Sequence, residues 1–172
     1  MQWYDILFEL IDFRSFSSMW YWIALSVVWS TASHWVLGVP YDMVRRARRG
    51  VEGAQRDLED LLRVNVLRIL YYARGAGVVM VGVTAFVASG MVVLAVLGIE
   101  LAQAILCILL PMAVVQALRL RLALQFERGA HGSADLDRVL SRHRAAVQVI
   151  GMFAIFFTAL FGMYQNLRLG AL

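Results

Sequence analysis

Lysine is absent: all 16 basic residues of this 172-residue chain are arginine. Genome composition explains that, as does arginine's fitness for bidentate and aromatic-stacking contacts. Cysteine occurs once, as Cys107 inside an apolar run, which excludes an internal disulfide framework and any CxxC metal site. Charge is scarce, at 16% of residues, where soluble domains carry roughly a quarter. There is no HExxH, GxSxG or phosphate-loop motif and no paired carboxylates, so the expectation is a protein that is not an enzyme. No acidic residue falls at mid-depth of an apolar segment, which argues against a proton or ion path. The opening MQWYDILFELIDF lacks the basic region and cleavage site of a signal peptide and reads as mature protein.

What is present is apolar. Hydrophobic residues make up 61% of the chain, with a mean hydropathy of +0.69. The excess sits in long blocks, so the expected class is an all-α integral membrane protein in one membrane domain. A net charge of +4 raises nucleic acid as a partner. The arginines, however, flank apolar blocks and read as topology signals and contacts to anionic lipid, so no nucleic acid is expected.

Residues 2–14 pattern as an amphipathic interfacial helix, with Asp5, Glu9 and Asp12 on one face. A first span is expected over 19–39, with Trp20, Tyr21, Trp22 and Trp35 as interfacial aromatics. Residues 40–72 form a polar stretch opened by Arg45, Arg46, Arg48 and Arg49, with an amphipathic helix from about Ala54 running unbroken into a second span, 73–98. Gly98-Ile99-Glu100 makes a tight turn into a third span, 99–118, which Pro111 should kink. A second arginine-bearing loop covers 119–144, a fourth span 145–165 and a short tail 166–172. Both basic loops fall on one side of a four-span chain. The positive-inside rule makes that side cytoplasmic and both termini periplasmic in a bacterial inner membrane.

The two loops resemble each other. Arg49-Gly50-x-x-Gly53 followed by Asp57-Leu58-Glu59 stands against Arg128-Gly129-x-x-Gly132 followed by Asp135-Leu136-Asp137. The reading is two similar helical hairpins with cytoplasmic helical extensions. The glycines allow turns, and the aspartates favour the positive end of a helix dipole. His34 has no counterpart, since Ala113 takes its place in the second half.

Candidate sites are few. Ser26, Ser30 and His34, spaced by four, make one polar ridge on the first span. His34 is expected to hydrogen-bond a neighbouring helix or Ser30. The alternative is axial ligation of a tetrapyrrole metal, haem or bacteriochlorophyll, with Trp29 and Trp35 beside the ring. Bacterial antenna polypeptides use a similar small-x-x-x-His arrangement. His131 and His143 lie in the second basic loop, so bis-histidine haem and copper sites are excluded within one chain. Ala154, Thr158 and Gly162 form a small-residue ridge on the fourth span, and Ala85 and Ser89 a shorter one on the second.

The run Ser33-His34-Trp35-Val36-Leu37-Gly38-Val39-Pro40-Tyr41-Asp42-Met43-Val44, with the opening WYDILFELIDFRSFS, resembles a family of small inner-membrane proteins of purple non-sulfur bacteria and their marine relatives. Some of its members are labelled a component of an iron–sulfur assembly complex, although this chain holds no cluster-ligand pattern. The resemblance is most specific over the first 50 residues and brings no catalytic residues. With the adhesive ridges, it implies a non-catalytic accessory, structural or assembly subunit of a respiratory or photosynthetic complex. The expected partners are other integral membrane subunits or further copies of the chain.

Overall fold

The computed structural model describes residues 16, 19–129 and 135–170, the side chains of 168–170 excepted. The expected interfacial helix 2–14, and His131 and Gly132 of the second basic loop, lie outside the described residues. Among the described residues six helices follow in order: α1 Met19–His34, α2 Tyr41–Arg48, α3 Ala54–Gly75, α4 Gly77–Val96, α5 Glu100–Glu127 and α6 Leu136–Gly170. Two short strands, β1 Trp35–Val36 and β2 Val39–Pro40, pair antiparallel between α1 and α2. Helices α4, α5 and α6 are each long and apolar enough to cross a membrane.

The chain packs as two layers. At the arginine-rich end, Val36, Leu37, Val39 and Val44 meet Leu58, Leu62, Val66 and Leu70 of α3, with Leu122 and Ala123 of α5 and Leu136 and Leu140 of α6. The α3 residues recur at four-residue steps, so one stripe of that helix is buried while its arginines stay outside. The second layer joins α1, α5 and α6 through Leu25, Trp29, Val115, Val147 and Ala154. Helix α4 packs along α5, and α1 along α6. None of the 20 residues of α4 is buried.

The first span expected over 19–39 is instead a 16-residue helix ending at His34. At 1.5 Å per residue that is about 24 Å, short of a hydrocarbon core of roughly 30 Å. The chain turns back at Leu37 and Gly38, whose φ angles are 52° and 77°. Positive φ at both centre positions is the two-residue hairpin geometry. It strains a leucine by roughly 1 kcal/mol, and Leu37 is fully buried at 0% exposure, which offsets that cost. Trp35 pairs with Pro40, which lacks the N–H to extend the ladder.

Other boundaries move for similar local reasons. The unbroken run expected from α3 into the second span is interrupted at Ala76 (φ −122°, ψ 5°), between Gly75 and Gly77. The third and fourth spans do not stop at their loops. Helix α5 continues through Pro111 to Glu127, and α6 begins at Leu136, so most of 119–144, expected as a loop with helical extensions, is helix continuous with the apolar segments. Arg74 and Glu127 close the ends of α3 and α5 with an ion pair of 2.6 Å. Gly98 turns as expected, with φ 89°.

The repeated Arg-Gly pairs have a common geometry. After α2, Gly50 N–H donates to Ala47 O and Val51 N–H to Arg46 O, at 3.0 and 3.3 Å. That is the pairing of a glycine-terminated helix, with Gly50 at φ 70°. After α5, Gly129 N–H donates to Phe126 O at 3.1 Å, with φ 68°. Each glycine thus ends a helix, and Asp57 and Asp137 occupy the first turns of α3 and α6.

Candidate functional site

The seam between α1 and α6 is built from small residues on one side and aromatics on the other. Ala154, Thr158 and Gly162, the ridge expected from sequence, are all buried. A Cβ on Gly162 would stand 3.1 Å from Phe16, whose ring meets those of Tyr21 and Phe161 edge-on. Gly151, not singled out in the sequence, seats Trp29: a Cβ there would lie 2.8 Å from the indole. Its signal was present in the step of three from Gly151 to Ala154, which extends the ridge by one turn. At the end of the bundle opposite the arginine run 45–49, Phe16 N–H donates to Glu100 Oε1 at 2.8 Å. Tyr21 donates to Ala104 O, and Gln103 joins Gln165 to Ala95 O.

Ser26, Ser30 and His34 are exposed and face away from this seam. Ser26 Oγ donates to Trp22 O within its own helix, and Ser30 O accepts from Ser33 Oγ. The His34 ring meets Trp35 edge-on at 5.8 Å and borders an open groove with Ser30, Thr31, Ser33 and Arg144. Trp29 points the other way, into the seam, so of the two tryptophans expected beside a bound ring only Trp35 shares the histidine's face.

Beyond His34 the hairpin and α2 swing the basic run against α6. Asn65 anchors that turn: its Nδ2 donates to Gly38 O at 3.2 Å and Leu61 O at 3.0 Å, and its Oδ1 accepts from Arg68 at 2.7 Å. Between α2 and α6 runs a groove of about 470 Å³ lined by Tyr41, Val44, Arg45, Arg48, Arg49, Ser141 and Arg144. The guanidinium of Arg144 lies 3.8 Å over the Tyr41 ring, and its Nε donates to Ser33 O at 3.2 Å. Arg46, also expected to contact lipid, points to Asp42 at 3.7 Å and does not line the groove. Among the described residues no group of three or more histidine, cysteine, aspartate or glutamate side chains could hold a metal.

No family model, no curated protein and no solved structure matches this chain. The chemistry of the groove is therefore the direct guide to what this end of the molecule does. The Tyr41 phenol is held below its ordinary value of 10.0 by the Ser141 hydroxyl, against the opposing effect of burial, and then by the charges of Arg144 and Arg48. A phenolate favoured in the folded state adds stability that is complete above the ordinary phenol value. That stability is lost as pH falls through the lowered one. Phenolate absorbance, measured against Tyr41→Phe, is expected to show this group titrating early. Ser141→Ala and Arg144→Gln should each move it upward.

Proposed function

We propose that this chain is a non-catalytic accessory subunit of a larger assembly in a bacterial inner membrane, with the arginine-rich layer in the cytoplasm. The observation that carries this reading is α4. It is an apolar helix of 20 residues, none of them buried by its own chain. Gly82, Ala85 and Ser89 stand on it as an open small-residue ridge, and nothing lies within 4 Å of a Cβ built at Gly82. In a membrane such ridges let helix backbones approach closely, and lipid tails gain nothing from them. The packed ridge of α6 shows what this chain does with small residues when a partner helix is present. Paired with a headpiece that has its own core, α4 reads as the attachment edge of a subunit.

With α1 as a fourth, shorter crossing, both arginine-bearing segments lie on one side, and the positive-inside rule orients them. The respiratory or photosynthetic setting comes from the family resemblance alone. The test is copurification from native membranes in mild detergent, with a photo-crosslinking residue at Ala85. The expected product joins Ala85 to a different membrane polypeptide. A protein that migrates alone and crosslinks to nothing defeats the proposal, and crosslinks only to itself would make it a homo-oligomeric scaffold.

The outward ridge favours a second reading, tetrapyrrole binding by His34. An exposed imidazole one turn from the small Ser30 leaves one face open to a ring. The absorption spectrum decides: a tetrapyrrole band lost in His34→Ala supports ligation, and a colourless wild type ends it.

A further inference from the structure

We propose that the groove between α2 and α6 is a binding site for one phosphate-bearing anion, the headgroup of an acidic phospholipid. Four arginines, Arg45, Arg48, Arg49 and Arg144, line it, and no carboxylate is among its lining residues. Asp137 stands 4.0 Å from Arg48 Nε, a distance at the limit of an ion pair between partly exposed groups. Four like charges repel one another unless an anion sits among them, and planar guanidinium groups match phosphate oxygens in pairs.

The groove is also built in advance. Arg144 is held by the Tyr41 ring beneath it and by Ser33 O, so it does not have to be ordered on binding. The hydroxyls of Tyr41 and Ser141 share one hydrogen bond of 3.4 Å, which leaves one neutral O–H to donate at the wall. Val44, fully buried, fixes the α2 face that carries Arg45 and Arg48.

Depth selects the source of the phosphate. Arg144 immediately precedes Ala145, where the apolar stretch of α6 begins, and its acceptor Ser33 lies in the last turn of α1. The groove therefore sits where the apolar layer ends, at headgroup level, with apolar helix surface below it for acyl chains. The inference rests on the chain being a membrane protein and is independent of what covers α4.

The experiment titrates the full-length protein in mild detergent, by native mass spectrometry, with phosphatidylglycerol, phosphatidylcholine or inorganic phosphate. One phosphatidylglycerol is expected to bind. The triple variant R45Q/R48Q/R49Q should bind it roughly a hundredfold more weakly. R56Q/R63Q/R121Q changes the net charge equally at exposed arginines outside the groove and should bind as the wild type does. R45K/R48K/R49K, which keeps the charges but loses the paired guanidinium contacts, should recover only part of the loss. The single change Arg49→Glu, at an exposed helix cap, is a second readout should the triple variant fail to fold, with roughly a tenfold loss expected. Equal loss in the groove and control variants, or binding of phosphatidylcholine as tight as that of phosphatidylglycerol, overturns the site. Inorganic phosphate competing at equal concentration overturns the assignment to lipid.

Discussion

Replacing Gly151 with leucine is expected to lower stability by about 3 kcal/mol and to free α1 from α6. A Cβ at this position would lie 2.8 Å from Trp29 Cε3 and 3.1 Å from Cδ2, so even alanine forces the indole to move. Trp29 has little room to give way, being 5% exposed and packed with Leu25, Val115, Val147 and Ala154. Gly151→Ala should therefore cost about 1 kcal/mol, since the contact is with a rigid ring and not a flexible side-chain tip. Thermal unfolding in detergent measures the loss, and tryptophan emission should shift to the red as Trp29 leaves the seam. An unchanged transition and spectrum for Gly151→Leu would mean that α1 does not dock on this face of α6.

The second large effect is expected at Asn65. This residue is 5% exposed and uses both ends of its amide, donating to Gly38 O and Leu61 O and accepting from Arg68. Asn65→Leu removes every one of these bonds and leaves the Gly38 carbonyl without its side-chain partner. A loss of about 2–3 kcal/mol follows, because a buried polar group stripped of its partner bears the full cost of desolvation. Asn65→Asp keeps the acceptor for Arg68 but loses both donors, so it should fall between. Hydrogen exchange reports where the damage lies: the amides of Val36 and Val39 should exchange faster while those of α4 stay unchanged. Uniform change along the chain would contradict a local role. Gly38→Ala offers a separate route to the same site, combining an unfavourable φ of 77° with a Cβ placed 3.0 Å from the Asn65 side chain.

Asn65 also shows where legibility stopped. In sequence it is one polar residue amid the apolar stripe of α3, with nothing to connect it to a glycine 27 positions earlier. The Ala154-Thr158-Gly162 ridge was legible because helical periodicity alone puts residues four apart on one face. The aromatics that fill it were not, because the partner of a ridge is set by which helices become neighbours. His34 drew attention as a lone histidine in an apolar run. The hairpin places it at the end of α1 and on the outside, since the helix stops where Leu37 enters the headpiece core. Arg144 and Ser141, by contrast, looked like ordinary members of a basic loop. Continuous helix from Leu136 brings them to the face opposite Arg45, Arg48 and Arg49.

By itself, the sequence determined that this chain is helical, that it carries long apolar segments, and that its arginines cluster in two places. It also marked Gly50 and Gly129 as glycines that allow turns. Each of these follows from composition or from spacing within one element, which involves no distant residue. Tertiary structure alone decided that the chain turns back after His34, that Gly151 receives Trp29, that α4 is left bare, and that two separate arginine groups face one groove. Those outcomes depend on contacts between residues far apart in the chain, such as Tyr41 with Ser141, 100 positions on, and Ser33 with Arg144, 111 positions on. The energy that selects them, burial of Leu37 against strain in its backbone or docking of Trp29 on a glycine, exists only once the helices have met.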